Sequence, residues 1–302
     1  MAAPADPGFA AALTETAARV ETALDALLPR PAGEDDALAE AMRHATLGGG
    51  KRLRAFLVMR GAALFEVPEE RALRVAAATE MLHAYSLVHD DLPCMDDDDL
   101  RRGRPTVHVA WNEAVAVLVG DALQALAFEV LAAAPTHPRA EVRAALVEAL
   151  ARAAGASGMV GGQARDMAAG AARQPPDLAG IEALQAGKTG ALIRFAACAG
   201  GLMGEAGPAR IAALDAYAAA LGLAFQIRDD VLDAAGDARL AGKRLGKDAA
   251  SGKATFVSLM GLEAAQERAE ALAAEAEAHL AEFGAAAEPL RSLARFTVRR
   301  DR

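Results

Sequence analysis

Apolar positions recur at helical spacing along most of the chain. Phe9, Leu13, Val20, Leu24 and Leu27 fall on one stripe and predict a helix over 9–28. The PRPAGEDD segment at 29–36 reads as a turn in which Asp35 or Asp36 can cap the next helix, over 37–46, which stops at Gly48-Gly49-Gly50. Further helical runs cover about 51–63 and 69–91, the latter halted near Pro93, because proline lacks an N–H and restricts the residue before it. Helical patterns return at about 109–132, 138–155, 177–203, 207–234 and 254–283. Residues 92–107 and 236–253 read as loops, and Gly161-Gly162 as a break. No alternating run is long enough for a sheet, so the predicted class is all-α. No linker divides the chain, so residues 1–302 read as a single domain.

Composition narrows the class. Of 302 residues, 53% are apolar and 24% charged, which is too apolar for a disordered chain. Two cysteines, Cys94 and Cys198, make no disulfide framework and close no zinc site, so the expected compartment is the cytoplasm. The longest apolar stretch, 114–128, is interrupted by Asp121, so no membrane span is expected. A net charge of −9 argues against a general nucleic-acid binder, yet a few local cations can still hold a phosphate.

Two clusters of carboxylates stand out. Asp90-Asp91-Leu92-Pro93-Cys94-Met95 runs directly into Asp96, Asp97, Asp98 and Asp99. Acids at the end of a helix oppose its dipole, and so many together repel unless a cation sits among them. In the second cluster Asp229 and Asp233, four apart, share a helical face, with Asp230 about a third of a turn around. Hard divalent cations such as Mg²⁺ take carboxylate oxygens and commonly share a substrate phosphate. The contiguous run does not fit a calcium EF-hand, and no His/Cys grouping has zinc spacing.

Cations lie in glycine-containing contexts. GGGKRLR at 48–54 places Lys51, Arg52 and Arg54 after three glycines, where bare backbone N–H groups and positive charge suit a phosphate, although the spacing is not that of a Walker loop. Arg101, Arg102 and Arg104 follow the aspartates directly, and can either pair with them or hold the same diphosphate from a second side. GKTG at 187–190 supplies Lys188 and Thr189, and GKRLGKD at 242–248 supplies Lys243 and Lys247. His83, seven residues before Asp90, lies on nearly the same helix face; His44, His89 and His108 read as structural.

Taken together, GGGKRLR, HAYSLVHDDLPCMDDDDLRRGRPT, GGQARD, GKTGALI, LAFQIRDDVLD and LGKD resemble the trans-polyprenyl diphosphate synthases, most of all the bacterial farnesyl type, from about residue 37 to the C-terminal ARFTVRRDR. The resemblance implies an antiparallel helical bundle around a central cavity and a homodimer. It implies Mg²⁺, three ions per site, held by Asp90, Asp91 and Asp96 and by Asp229, Asp230 and Asp233, with Asp90, Asp96 and Asp229 the expected direct ligands. Arg101, Lys188, Thr189, Gln226 and Lys243 would hold the allylic diphosphate. Lys51, Arg54, His83 and Arg102 would hold isopentenyl diphosphate. The implied reaction ionises the allylic C–O bond, adds the isopentenyl double bond and loses a proton. Tyr85, five residues before Asp90, is the implied floor that stops growth at fifteen carbons; geometry alone does not assign it that role. Geranyl or geranylgeranyl products by the same chemistry, a terpene cyclase and a non-catalytic partner subunit are the alternatives.

Overall fold

A computed structural model describes residues 7–33, 36–170, 175–235 and 254–300. The elements in order are α1 (Pro7–Leu27), α2 (Ala37–Thr46), α3 (Leu53–Ala63), α4 (Glu69–Asp90), β1 (Leu100–Arg101), β2 (Arg104–Pro105), α5 (Val107–Ala110), α6 (Glu113–Ala132), α7 (Ala140–Ala154) and α8 (Met159–Gly170). They continue with α9 (Leu178–Gln185), a π-helical turn at Ala186–Gly190, α10 (Ala191–Met203), α11 (Pro208–Ala235), α12 (Phe256–Met260), α13 (Leu262–His279), a 3₁₀ segment at Ala281–Ala287 and α14 (Glu288–Arg299). The fold is all-α, as the periodicity predicts. Its single departure among the described residues is a two-residue antiparallel hairpin, Leu100 facing Pro105 and Arg101 facing Arg104.

Helix starts are set by local chemistry. Asp36 accepts from Ala39 N, Asn112 from Val115 N and Asp177 from Gly180 N, each satisfying an amide that has no partner inside its own helix. Thr255 and Ser258 form a reciprocal capping box on α12. The run expected as one helix over 254–283 is divided at Gly261, whose φ of 85° is left-handed and ends α12.

α4 is buried on most sides, with Val75, Ala76, Ala77, Ala78, Met81 and Leu82 fully enclosed, because α1, α3, α6 and α10 surround it. One connected apolar core runs from Phe9 to Ala294. α11 packs along α13, and Tyr217 of α11 donates its buried hydroxyl to Leu290 O of α14 at 2.8 Å. α6 and α11 are long and apolar enough to cross a membrane by length and composition, which the interruption at Asp121 did not lead one to expect. Both bury one face in this bundle, α6 against α4 and α11 against α13.

The Gly161-Gly162 pair is not a break. It lies inside α8, and a Cβ on Gly162 would stand 2.1 Å from Lys188 N. Gly187 faces it: a Cβ there would stand 3.1 Å from Gly162 Cα. The glycines let α8 and the π turn touch backbone to backbone, which fixes where Lys188 can reach.

Candidate active site

The first aspartate motif closes on itself. α4 ends at Asp90, and the chain then folds back so that Asp96 N donates to Asp90 O at 2.9 Å and Asp98 N to Asp91 O at 3.2 Å. This brings the Asp96 charge against Asp90. Burial first, and then the Asp96 and Asp91 charges, push the Asp90 carboxyl up to about 6, although Lys188 and Arg101 pull it down. A carboxylate disfavoured in this way is a ready ligand for a cation, and two such oxygens side by side fit a hard divalent ion.

Asp91 is placed differently. It is buried, and Arg101 holds it through a two-pronged contact, Nε to its two oxygens at 2.8 and 2.9 Å and Nη2 to Oδ1 at 2.5 Å. Arg101 thereby makes the internal pairing that was one of the two contacts open to the arginines after the acid run, and it pins the hairpin to the end of α4. Arg102 donates to Gly49 O and Arg104 to Leu47 O, so the hairpin also clasps the glycine loop before α3. A pocket of about 480 Å³, its mouth included, lies beneath the hairpin, between Leu47, Ala84, Leu87, Asp91 and Val107; it includes no residue of the second motif.

Lys188 sits in the π turn and donates to Asp166 of α8 at 2.8 Å. Burial lowers its pKa, but Asp166, Asp90 and Asp96 more than restore it, so it stays charged. Thr189 beside it contacts Gln226 Oε1 of α11 at 3.3 Å, and Gln226 donates to Asp230 Oδ1 at 3.3 Å. The π turn thus reaches both ways: Lys188 lies in the field of Asp90 and Asp96, and Thr189 leads through Gln226 to Asp230.

In the second motif Asp230 accepts from Phe256 N at 2.8 Å, capping the amide end of α12. Asp229 pairs with Arg300 at 2.6 Å, and that guanidinium lies 4.0 Å from the Phe225 ring centre. Asp233 is half-buried on α11. Asp229 also acts on Arg54 of α3, whose Nη1 meets His83 Nε2 at 3.2 Å. Because arginine only donates, this ring nitrogen is the acceptor. Burial, then Arg54 and Arg102, hold the His83 pKa well below its usual range, so the imidazole is neutral. Buried Arg54 Nε has no hydrogen-bond partner among the described residues, leaving a donor for an anion. Lys51 is exposed, with Nζ 5.4 Å from the Phe296 ring centre.

The structure therefore brings Asp90, Asp96 and Lys188 together, and separately Arg54, His83 and Asp229. Among the described residues no three His, Cys, Asp or Glu side chains form a ready metal cluster. Lys243 lies outside the described residues. Sequence reasoning did not single out Asp166, although it stands in the GGQARD segment, nor Arg300, the partner of Asp229. Tyr85 is buried, edge-on to His89 at 5.1 Å between ring centres, and His89 Nε2 reaches Val117 O of α6 at 3.1 Å.

Residues 35–288 match the polyprenyl synthetase family model. The chain is 45% identical to the farnesyl diphosphate synthase of Escherichia coli strain K12, over 88% of this chain and 90% of that one. It is 48% identical to a probable farnesyl diphosphate synthase of Sinorhizobium fredii, over 91% and 82%. Among solved structures, an FPP/GFPP synthase from Zymomonas mobilis is 49% identical and superposes with a TM-score of 0.89, covering 96% of this chain and 99% of that one. The chain belongs to the polyprenyl synthetase family and is a prenyltransferase.

Proposed function

We propose that this chain condenses isopentenyl diphosphate with dimethylallyl diphosphate and then with geranyl diphosphate, giving (2E,6E)-farnesyl diphosphate and releasing diphosphate each time. The observation that carries the reading is that each aspartate motif has a cation of its own beside it, with a neutral polar link between the π turn and α11. Lys188 acts on Asp90 and Asp96, and its neighbour Thr189 reaches α11 through Gln226, while Arg54 lies within the influence of Asp229. A diphosphate has three or more negative oxygens to satisfy, and this rim offers both direct cations and carboxylates that invite metal.

Asp90, Asp96 and Asp229 are assigned as direct Mg²⁺ ligands, with Asp91, Asp230 and Asp233 completing the two motifs and three ions at a full site. Held by these carboxylates, Mg²⁺ would supply the positive charge that offsets the charge developing on the leaving diphosphate. Lys188, Thr189, Gln226, Arg101 and Lys243 hold the same group. Lys51, Arg54, His83 and Arg102 hold isopentenyl diphosphate. Its double bond attacks the allylic cation to form the new C–C bond, and the proton lost from the adduct passes to the departing diphosphate. Neutral His83 suits a binding role, since as a hydrogen-bond acceptor it orients Arg54 without adding charge. Tyr85 limits the product to fifteen carbons.

The chain is read as one domain, soluble and cytoplasmic, working as a homodimer. Support for the dimer comes from α6, which buries one face on α4 yet leaves Val117 and Leu118 exposed at 42% and 55%. The test is to incubate the full chain with isopentenyl and geranyl diphosphates and Mg²⁺ and to measure product length. A fifteen-carbon product is expected; no condensation overturns the reading.

A further inference from the structure

The loop that carries Lys51 and Arg54 is conformationally expensive. Gly48, Gly49 and Gly50 all have positive φ, near 109°, 100° and 111°. Arg52, which precedes α3, is left-handed at φ 49°, a region that costs a non-glycine residue energy and persists only when its surroundings impose it. The surroundings that impose it are two carboxylates from other helices.

Arg52 points inward, its side chain 3% exposed. Its Nη1 donates to Glu80 Oε2 of α4 at 3.2 Å, and its Nη2 to Glu21 Oε2 of α1 and to Thr46 O, both at 2.6 Å. Each carboxylate also takes a backbone amide of the loop. Gly48 N donates to Glu21 Oε1 at 2.7 Å, and Ala55 N donates to Glu80 Oε1 at 3.1 Å. Glu80, 2% exposed, thus caps the first turn of α3 from a neighbouring helix. The Gly48 and Ala55 amides are thus taken by carboxylates, which leaves the neighbouring cationic side chains the larger part in anion binding at this loop. Arg52 is committed inward, while Lys51 is exposed and Arg54 keeps an Nε with no hydrogen-bond partner among the described residues.

We propose that Glu21 and Glu80 are positioning residues that, through Arg52, hold the Gly48–Arg54 loop in the form that presents Lys51 and Arg54, and so set the affinity for isopentenyl diphosphate without touching it. This rests on the assignment of that substrate to Lys51 and Arg54. Glu21 lies before residues 35–288, the part that matches the family model, so that match assigns it no role. Two carboxylates beside an anion site repel the anion directly; their use is to fix geometry.

Steady-state kinetics on full-length Glu80→Gln and Glu21→Gln, with geranyl and isopentenyl diphosphates and Mg²⁺, tests the proposal. Loss of a charged hydrogen bond predicts that KM for isopentenyl diphosphate rises about tenfold in Glu80→Gln and about threefold in Glu21→Gln. kcat and KM for geranyl diphosphate stay within about twofold of the parent, because the interaction lost serves one substrate only. An unchanged KM for isopentenyl diphosphate, or changes in kcat or in both KM values alike, overturns the proposal by leaving the carboxylates a purely structural role. Should Glu80→Gln fail to fold, Glu21→Gln, at a side chain one-third exposed, decides alone. Lys51→Ala separates the two claims. If it too leaves KM for isopentenyl diphosphate unchanged, the substrate assignment is what has failed.

Discussion

Lys188 Nζ stands 2.8 Å from Asp166 Oδ2, and the same ammonium acts on Asp90 and Asp96. Asp166 therefore anchors a cation whose charge is directed at the first aspartate motif. Removing that cation should affect the ionisation step more than folding, since Lys188 is only part-buried. Lys188→Ala is expected to lower the single-turnover rate with geranyl diphosphate about 10²-fold, the scale of losing one electrostatic stabiliser. Asp166→Asn leaves the ammonium in place but unanchored, and is expected to cost about tenfold. Rapid-quench measurement of both variants checks the order.

Tyr85 tests the limit on product length. Its ring is buried and lies edge-on to His89, which is tied to α6, so it is held where α4 faces α6. Tyr85→Ala should shift the product mixture from fifteen to twenty carbons or more while condensation continues. Chromatography of the dephosphorylated products reads this directly, and an unchanged fifteen-carbon product would remove the floor assignment.

Asp90 gives a pH dependence with a definite sign. Its folded pKa is raised from 3.8 to about 6, so the metal-free folded state binds more protons than the unfolded chain between those values. The stabilising contribution of this group is present at low pH and lost as pH rises through about 6. A bound divalent cation demands the ionised form, so apparent Mg²⁺ affinity should fall about tenfold per pH unit below about 6. The Mg²⁺-induced rise in melting temperature should accordingly shrink between pH 7.5 and 5.5. Asp90→Asn should flatten that dependence.

Gly162 is predicted to be intolerant of a side chain. An added methyl would meet Lys188 N at 2.1 Å and Gly187 C at 2.7 Å, both backbone atoms that cannot swing aside. Gly162→Ala should destabilise the protein by about 1–3 kcal/mol, the usual cost of overpacking, and should also displace Lys188. Thermal melting and activity are expected to fall together, whereas Gly170→Ala, whose Cβ meets nothing within 4 Å, should lower neither by a comparable amount.

Much of this was legible in the chain itself. The starts of α2, α6 and α9 follow capping residues, and α4 stops where Asp90, Asp91 and Pro93 make further helix unfavourable. The paired acid motifs and the glycine loop suggest metal and phosphate chemistry from the sequence, because like charges so crowded repel unless a cation sits among them. The π turn at Ala186–Gly190 was not legible: 177–203 carries one continuous apolar pattern, and its irregularity is imposed by contact with α8. Nor was the fate of single charges. Asp91 and Arg101 are ten positions apart, Asp229 and Arg300 seventy-one, and no local pattern pairs them.

What the amino-acid order determined unaided is local: helical periodicity, capping and the crowding of aspartates are properties of neighbours a few residues apart. What only the tertiary structure decided is which opposite charge each ionised group meets. Arg52 turns to Glu21 and Glu80, and Lys188 to Asp166, because a charge carried into the interior must be paired where the packing of distant helices supplies a partner. That choice depends on how helices assemble around a shared core, which no window along the chain contains.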